Sequence, residues 1–183
     1  AAFAAVRTSG QKFEAKDIPA ATQLFTLDWV VRYLVENTLG QLWMQMHPDS
    51  NLASQMKYFV NLPETKSDKT IRPVSEITLL DPACGSMHFG IVAFDLFAAM
   101  YKEELENAGK EGWLSNPSIT SEDDIPATII ENNLYGIDID LRAVQLSALA
   151  LYLRAKRMNK NAHITDHNLA CADVAPFSSA DLG

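Results

Sequence analysis

The sequence contains only two cysteines, Cys84 and Cys171, among its 183 residues. Two cysteines are too few for a disulfide framework or a cysteine-rich zinc site. Their scarcity is typical of a protein from a reducing, intracellular compartment, and we expect no metal centre. A hydrophobic content of 48% is enough for about one domain with a substantial core.

Long apolar runs are lacking as well. Charged residues interrupt the hydrophobic stretches well short of the ~20 residues that a membrane-spanning helix needs. The first residues, AAFAAVRTSGQKFEAKD, do not show the charged-then-apolar order of a signal peptide. We therefore predict a cytoplasmic protein with no membrane partner.

Positive charge is in short supply, because 15 Lys and Arg residues stand against 23 Asp and Glu residues and leave a net charge of −8. Phosphate neutralisation dominates nucleic-acid affinity, so a domain that binds DNA unaided is usually basic. If this protein acts on DNA, we expect the contacts to come from a local patch or from protein outside this chain.

The most informative segment that is present covers residues 78–89, TLLDPACGSMHF. The apolar run at 77–80 predicts a buried strand that delivers Asp81 to the end of a sheet. Residues 82–86 have little side-chain bulk, so a ligand can approach the backbone there. The helix predicted from His88 offers its first N–H groups to an anionic ligand. This order of strand, tight turn and helix is typical of the nucleotide-binding end of a doubly wound α/β sheet.

The rest of the pattern alternates between helices and strands. Helices are predicted over 26–46 (capped by Thr26), 52–60, 88–105, 125–131 and from an N-cap at Asp140 to Met158, and strands over 77–80, 134–137 and 168–172. Strand–helix–strand–helix–strand order predicts a parallel sheet with right-handed crossovers. Residues 1–19 are interpreted as an arm or the end of a preceding domain, and residues 20–183 as part of one domain.

An acidic residue closes each predicted strand: Asp81, Asp138 and Asp173. The carboxyl ends of parallel strands lie at one edge of the sheet, so these residues border one crevice. Any one of them alone is more commonly a helix cap. Three acidic strand ends in register, beside the turn at residues 82–86, favour a ligand with an ammonium group, ribose hydroxyls and an exocyclic amine.

Residues 81–86, Asp-Pro-Ala-Cys-Gly-Ser, resemble motif I of the S-adenosylmethionine-dependent adenine-N6 DNA methyltransferases, which reads Asp-Pro-Ala-Cys-Gly-Ser-Gly. The resemblance implies a Rossmann-like, doubly wound, mostly parallel sheet preceded by helices. It also implies S-adenosylmethionine as the cofactor. The motif I residues that would contact it are Asp81, Ala83, Cys84, Gly85 and Ser86.

The seventh motif position departs from the family, because Met87 replaces the glycine. The added bulk either narrows the cofactor pocket or packs beneath the sheet, and we favour packing. His88 beside it is interpreted as a structural residue rather than a catalytic base.

Three further segments are similar to motifs of the same family. Residues 133–140, NLYGIDID, resemble motif II, which implies that Asp138 accepts hydrogen bonds from both ribose hydroxyls, that Ile139 packs on the adenine and that Asp140 is structural. Residues 168–173, NLACAD, resemble motif III, in which Asp173 would accept from the adenine amine, although a surface loop aspartate is an open alternative. Residues 21–26, ATQLFT, resemble motif X, in which Phe25 and Thr26 would contact the methionine part, with helix capping as the alternative for Thr26.

Motif X stands before motif I in this sequence, which is the motif order of the gamma group of these enzymes. With this order, residues 18–43 resemble the large adenine-specific methyltransferases of BREX-type phage defence and related restriction–modification enzymes. These amino methyltransferases also carry Asp/Asn-Pro-Pro-aromatic, which orients the target amine while the base is flipped out. No Pro-Pro pair occurs in this sequence. The Asn116-Pro117 pair is not this motif, because it lies in a polar loop between motifs I and II. We therefore predict no catalytic residue within the chain.

The leading hypothesis is the cofactor-binding portion of an adenine-N6 DNA methyltransferase, inactive alone and with no metal requirement. Its implied partners are double-stranded DNA, contacted through segments outside this chain, and other defence-system subunits. The alternative is a non-catalytic scaffold or interaction domain that keeps the methyltransferase fold. An NAD-dependent oxidoreductase is disfavoured because Gly-x-Gly-x-x-Gly is absent after the first strand, and a P-loop because Gly-Lys-Ser/Thr is absent.

Overall fold

The computed structural model describes residues 26–61 and 70–172. In these ranges the chain forms a three-stranded parallel sheet and five α-helices. The strands are β1 (Leu79–Asp81), β2 (Leu134–Asp138) and β3 (Asn168–Cys171). The α-helices are α1 (Asp28–Val35), α2 (Gln41–Met46), α3 (His88–Asn107), α4 (Ile125–Thr128) and α5 (Leu141–Met158). None of the helices in the described residues is long and apolar enough to cross a membrane.

The sheet has the order β1-β2-β3, with β2 in the centre. Asp81 at the end of β1 is level with Gly136, and Asp138 at the end of β2 is level with Cys171. Helix α3 connects β1 to β2, and α5 connects β2 to β3. The predicted parallel α/β arrangement is confirmed, and the carboxyl ends of the strands meet at one edge.

Only one face of the sheet is covered by the described residues. Leu79 and Leu169 pack against the core below α3 and α5, and Leu134 is completely buried. On the opposite face Leu80 is 58% exposed, and Ala170 is also exposed. Side chains alternate between the faces of a strand, so this pattern marks the second face as open.

The predicted helix over 26–46 is present, but its details differ. It consists of α1, a π-helical turn at Glu36–Gly40, and α2. The prediction that Thr26 caps this helix was wrong, because Leu27 is the N-cap residue and no side chain caps the helix. The chain is already extended at Leu27, so Thr26 lies one residue too early to reach the first helical N–H groups.

The predicted second helix over 52–60 was also wrong in its extent. Only a 3₁₀ turn forms, at Asn51–Gln55, with Ser50 as its cap. The residues after it are held by the side chain of Asn37, whose amide donates to the Tyr58 carbonyl and whose oxygen accepts from the Val60 N–H, both at 2.8 Å. These long-range hydrogen bonds replace the helical ladder, and local propensity cannot anticipate them.

The remaining boundaries agree with expectation to within a few residues. Strand β1 is shifted toward Asp81 because a 3₁₀ turn occupies Val74–Glu76. The predicted helix over 125–131 is a succession of a 3₁₀ turn, α4 and a π-helical turn at Ile129–Asn133. Asp140 caps α5 as predicted, since its carboxylate accepts from the Arg142 N–H at 2.9 Å.

The core lies between α3, the first helices and the covered face of the sheet. Its largest fully buried side chains are those of Trp43, Tyr101, Phe94 and Phe97. Two acidic residues of helix α3, Glu103 and Glu104, accept hydrogen bonds from other parts of the chain. Glu103 accepts from Trp43 Nε1 at 2.7 Å, and buried Glu104 accepts from the Val74 and Ser118 N–H groups at 2.9 and 2.7 Å. These bonds fasten Trp43 and the segments around Val74 and Ser118 to α3.

Asn133, directly before β2, is a fully buried polar junction of the core. Its amide donates to the carbonyls of Val74 and Ile77, both at 2.8 Å, and its oxygen accepts from the Tyr101 hydroxyl at 2.9 Å. The junction joins α3, the segment entering β1 and the start of β2.

Replacing Asn133 should therefore destabilise the fold markedly. We expect Asn133→Ala to lower the free energy of unfolding by about 2–4 kcal/mol, because three buried partners lose their hydrogen bonds. Tyr101→Phe removes one of the three and should cost about 1 kcal/mol. Urea denaturation of both variants measures these values, and a loss below that of Tyr101→Phe for Asn133→Ala would contradict this role.

Candidate functional site

A cleft of about 420 Å³ lies at the carboxyl edge of the sheet. It is bordered by the turn after β1, the first turn of α3, the first turns of α5, and Thr26 just before the first helix. The lining residues are Thr26, Asp81, Ala83, Cys84, Gly85, Ser86, His88, Phe89, Asp140, Arg142, Ala143 and Leu146. The cleft therefore combines segments that are far apart in the sequence.

Backbone N–H groups of the turn after β1, residues 82–87, join it to β2 and hold its shape. The Cys84 N–H donates to the Ile137 carbonyl at 2.9 Å, and the Met87 N–H donates to the Cys84 carbonyl at 2.7 Å. The Ala83 N–H donates to Asp81 Oδ1 at 3.1 Å. Most N–H groups of the turn are thus used to hold its shape, so fewer are available to a ligand than the sequence suggested.

Asp138 at the end of β2 fixes the centre of this turn. Its Oδ2 accepts from the Gly85 N–H and its Oδ1 from the Asp140 N–H, both at 2.9 Å. A carboxylate has about four acceptor positions, so both oxygens can still accept from ligand hydroxyls. Asp138 therefore organises the site, and its role toward ribose stays a prediction.

Gly85 and Gly136 are required at their positions. Gly85 has a φ of +52°, and a Cβ built on it would meet no atom within 4 Å, so the backbone is open on that side. At Gly136 a Cβ would come within 2.8 Å of Leu169 Cδ2 and 3.1 Å of Cys84. Gly136 thereby allows the turn to sit directly on β2.

Cys84 is buried between these elements, with its side chain about 4% exposed. Burial raises the pKa of its thiol above the ordinary value. Its Sγ lies 4.0 Å from the Ser147 hydroxyl. The thiol is therefore a packing group beneath the turn.

Met87 adopts the left-handed conformation, with φ 63° and ψ 35°. This conformation is natural for the glycine of the family motif and unfavourable for a methionine. The Met87 side chain is completely buried and is not among the residues that line the cleft. It occupies the space that a side chain at Gly90 would need. The structure supports the packing interpretation of Met87.

His88 is half-buried and joins the cleft to the first helix. Its Nε2 lies 3.8 Å from Asp28 Oδ1, and Asp28 in turn accepts from Arg32 Nε at 2.8 Å. The hydrogen bond from Arg32 holds the pKa of Asp28 below its usual value. These contacts agree with a structural role for His88.

Asp140 and Arg142 form the opposite rim. Arg142 Nε and Nη2 both donate to Asp140 at 3.1 Å. These hydrogen bonds lower the pKa of Asp140 and raise that of Arg142. Asp140 is structural, as expected, and it also borders the cleft.

The structure brings together most of the predicted site. Thr26, Asp81, Ala83, Cys84, Gly85 and Ser86 line one cleft, and Asp138 holds the turn that forms it. Ile139 is 79% exposed at the same edge and is not a lining residue. Phe25 and Asp173 lie outside the described residues, so their predicted cofactor contacts stay predictions.

Sequence reasoning missed Phe89, Arg142, Leu146 and Ser147. The first three line the cleft, and Ser147 donates to the Gly85 carbonyl. The N-cap at Asp140 was a signal for Arg142, because residues in the first turn after it must lie at the carboxyl edge. Ser147 offered no such signal, since a serine within an apolar helix has many uses.

Comparison with known proteins gives consistent relatives. The family described as "MmeI, DNA-methyltransferase domain" matches residues 59–181. The "Adenine-specific methyltransferase BrxX" of Escherichia coli O9:H4 (strain HS) is 40% identical over 157 residues, which cover 81% of this chain and 12% of that protein. The "Adenine-specific methyltransferase PglX" of Lacticaseibacillus casei (strain Zhang) is 37% identical over 164 residues, covering 82% of this chain and 12% of that protein. The chain thus spans about an eighth of the curated relatives it matches.

Met87 fills space in the core and also holds a strained backbone conformation, and a pair of variants can separate these two effects. Met87→Ala should lower the free energy of unfolding by about 2–4 kcal/mol, because it removes a buried side chain and keeps the strained backbone. Met87→Gly makes the same cavity and relieves the strain, so it should be about 1 kcal/mol more stable than Met87→Ala. Chemical denaturation measures both, and a glycine variant less stable than the alanine variant would contradict the assignment of strain.

Close packing at Gly136 predicts a coupled effect on stability and on Cys84. Gly136→Ala should destabilise the chain by about 1–3 kcal/mol, because the new Cβ displaces Leu169 and the turn. In a Cys171→Ser background the displaced Cys84 should also react faster with a maleimide. If Gly136→Ala and its parent had equal stability and equal labelling rates, the turn would not be closely packed on β2 at Gly136.

Proposed function

This chain belongs to the MmeI DNA-methyltransferase domain family, and from that premise we propose that it binds S-adenosylmethionine as the cofactor-binding portion of an adenine-N6 DNA methyltransferase. The observation that carries the proposal is the turn after β1, which Asp138 holds through the Gly85 N–H at the edge of the cleft. The similarity to proteins named adenine-specific methyltransferases supports adenine as the target base.

The residues of the cleft fit this cofactor. Its volume of about 420 Å³ lies within the ~300–1,000 Å³ range of small-molecule sites. Asp81 lines the cleft and Asp138 holds its turn at the same edge of the sheet, and both supply acceptors suited to ribose hydroxyls and an ammonium group. The open side of Gly85 allows a ligand to lie directly on the backbone.

When bound, S-adenosylmethionine supplies an electrophilic methyl group on a sulfonium. The work of this chain is to bind and orient it: Asp138 would accept from the ribose hydroxyls, Ile139 would cover one side of the adenine, and Thr26 would border the methionine part. Asp173 and Phe25 complete the proposed contacts through the motif resemblance. Asp138 is already positioned by the Gly85 and Asp140 N–H groups, so cofactor binding need not reorganise it.

The target amine is not oriented by this chain, because its sequence contains no Pro-Pro pair and hence no Asp/Asn-Pro-Pro motif. Methyl transfer therefore depends on residues outside these 183. We propose that double-stranded DNA is contacted mainly by such residues, in keeping with the net charge of −8. Action in phage defence or restriction–modification, with other defence-system subunits as partners, is part of the same proposal.

We further infer that the complete domain is a doubly wound sheet. Parallel sheets are almost always covered on both faces, whereas among residues 26–61 and 70–172 one face exposes Leu80 and Ala170. Segments outside these ranges would cover that face. Replacement of the motif glycine by Met87 does not favour the alternative of a non-catalytic scaffold, because Met87 is buried and is not among the residues that line the cleft.

Removing the Asp138 carboxylate provides the test of cofactor binding. We expect Asp138→Ala to weaken S-adenosylmethionine binding by about tenfold or more, since a charge-assisted hydrogen bond contributes ~1.5–3 kcal/mol. Isothermal titration calorimetry measures the affinity. Asp124→Ala removes the same charge from an exposed position outside the cleft and should bind like the wild type. Unchanged affinity in a folded Asp138→Ala variant would reject the proposed role of this residue.

A further inference from the structure

Ser147 is a buried polar residue on α5 that faces the turn after β1. Its side chain is completely shielded from solvent. The hydroxyl donates to the Gly85 carbonyl at 2.7 Å. A serine within a helix commonly bonds to the carbonyl four residues earlier, but the hydroxyl of Ser147 is directed to the turn instead.

Gly85 is consequently held from two sides. Its N–H donates to Asp138 on β2, and its carbonyl accepts from Ser147 on α5. Both bonds link residues more than fifty positions apart in the sequence. The positive φ of Gly85 shows that the turn is sharply bent at this residue.

The bond from Ser147 also fixes the next peptide group. The Gly85 carbonyl and the Ser86 N–H belong to one planar trans peptide, in which C=O and N–H point in opposite directions. A carbonyl that points at Ser147 in the interior therefore turns the Ser86 N–H away from α5. Ser86 is exposed and lines the cleft. Within residues 26–61 and 70–172, the Ser86 N–H has no hydrogen-bond acceptor.

We propose that Ser147 is a positioning residue that aims the Ser86 N–H at the carboxylate of the bound cofactor. This inference rests on the proposed S-adenosylmethionine site. Ser86 precedes the Met87 N-cap of α3 and lies in the turn. A hydrogen bond from an N–H group to an ionised acceptor is stronger than one to a neutral acceptor. The carboxylate is the anionic group of S-adenosylmethionine, so it is the acceptor that this donor favours.

The test compares S-adenosylhomocysteine, which carries this carboxylate, with adenosine, which lacks the whole homocysteine part. Of the two charged groups in that part, only the carboxylate can accept a hydrogen bond from the Ser86 N–H. By calorimetry Ser147→Ala should weaken S-adenosylhomocysteine binding about three- to tenfold, the range expected for loss of one aligned hydrogen bond. Adenosine affinity should change by less than about twofold. Ser147→Thr restores a hydroxyl and should recover part of the loss.

Tyr101→Phe is the matched control, because it removes another buried hydroxyl hydrogen bond at a residue that does not line the cleft. It should leave the affinities for both ligands unchanged. Equal weakening of both ligands in Ser147→Ala would overturn the inference, since it would show that Ser147 only stabilises the turn. Unchanged binding of both ligands would overturn it as well.

A second measurement needs no ligand and separates this inference from the proposed function. In the ¹⁵N-labelled chain, Ser147→Ala should give the Ser86 amide microsecond–millisecond exchange in relaxation dispersion, because the peptide plane is released. Tyr101→Phe should not. A folded wild type that binds neither ligand would contradict the cofactor function, whereas a rigid Ser86 amide in Ser147→Ala would contradict the positioning role.

Discussion

The site depends on the way Gly85 is held. Its N–H is bound by Asp138 and its carbonyl by Ser147, so one residue of the turn is fixed to the central strand and to the helix that follows it. This is possible because Gly136 has no side chain and Cys84 can pack directly against β2. Removing one of these features would loosen the turn, which the Cys84 N–H still joins to the Ile137 carbonyl. These contacts together shape the wall of the cleft that residues 83–86 form.

Asp138 has two tasks in this account, which is why its variants need careful controls. It holds the turn and caps the backbone at Asp140, and it is the proposed acceptor for ribose. The same carboxylate thus shapes the site and is the proposed ligand contact. Such pre-organisation reduces the free energy that ordering a binding site would otherwise cost. It also couples fold stability to cofactor affinity, so a loss of binding has to be compared with a loss of stability.

Much of this architecture follows from local sequence signals. The order of strands and helices, the cap at Asp140 and the acidic strand ends at Asp81 and Asp138 were all predicted, because each depends on periodicity or on neighbouring residues. The errors have different causes. Asn37 holds the residues after Gln55 in a non-helical path through long-range hydrogen bonds. The capping error at Thr26 is local, because the N-cap position falls one residue later, at Leu27. Ser147 was missed because its partner lies 62 residues away.

The most direct test of the proposed cofactor site is a crystal structure of this chain with S-adenosylmethionine or its demethylated product. We predict that the ribose lies against Asp138, that the adenine lies beside Ile139, and that the methionine part runs past Ser86 toward Thr26, with the Gly85 turn unchanged. A ligand bound elsewhere, or one that binds here without touching Asp138 and the turn, would contradict the proposed site.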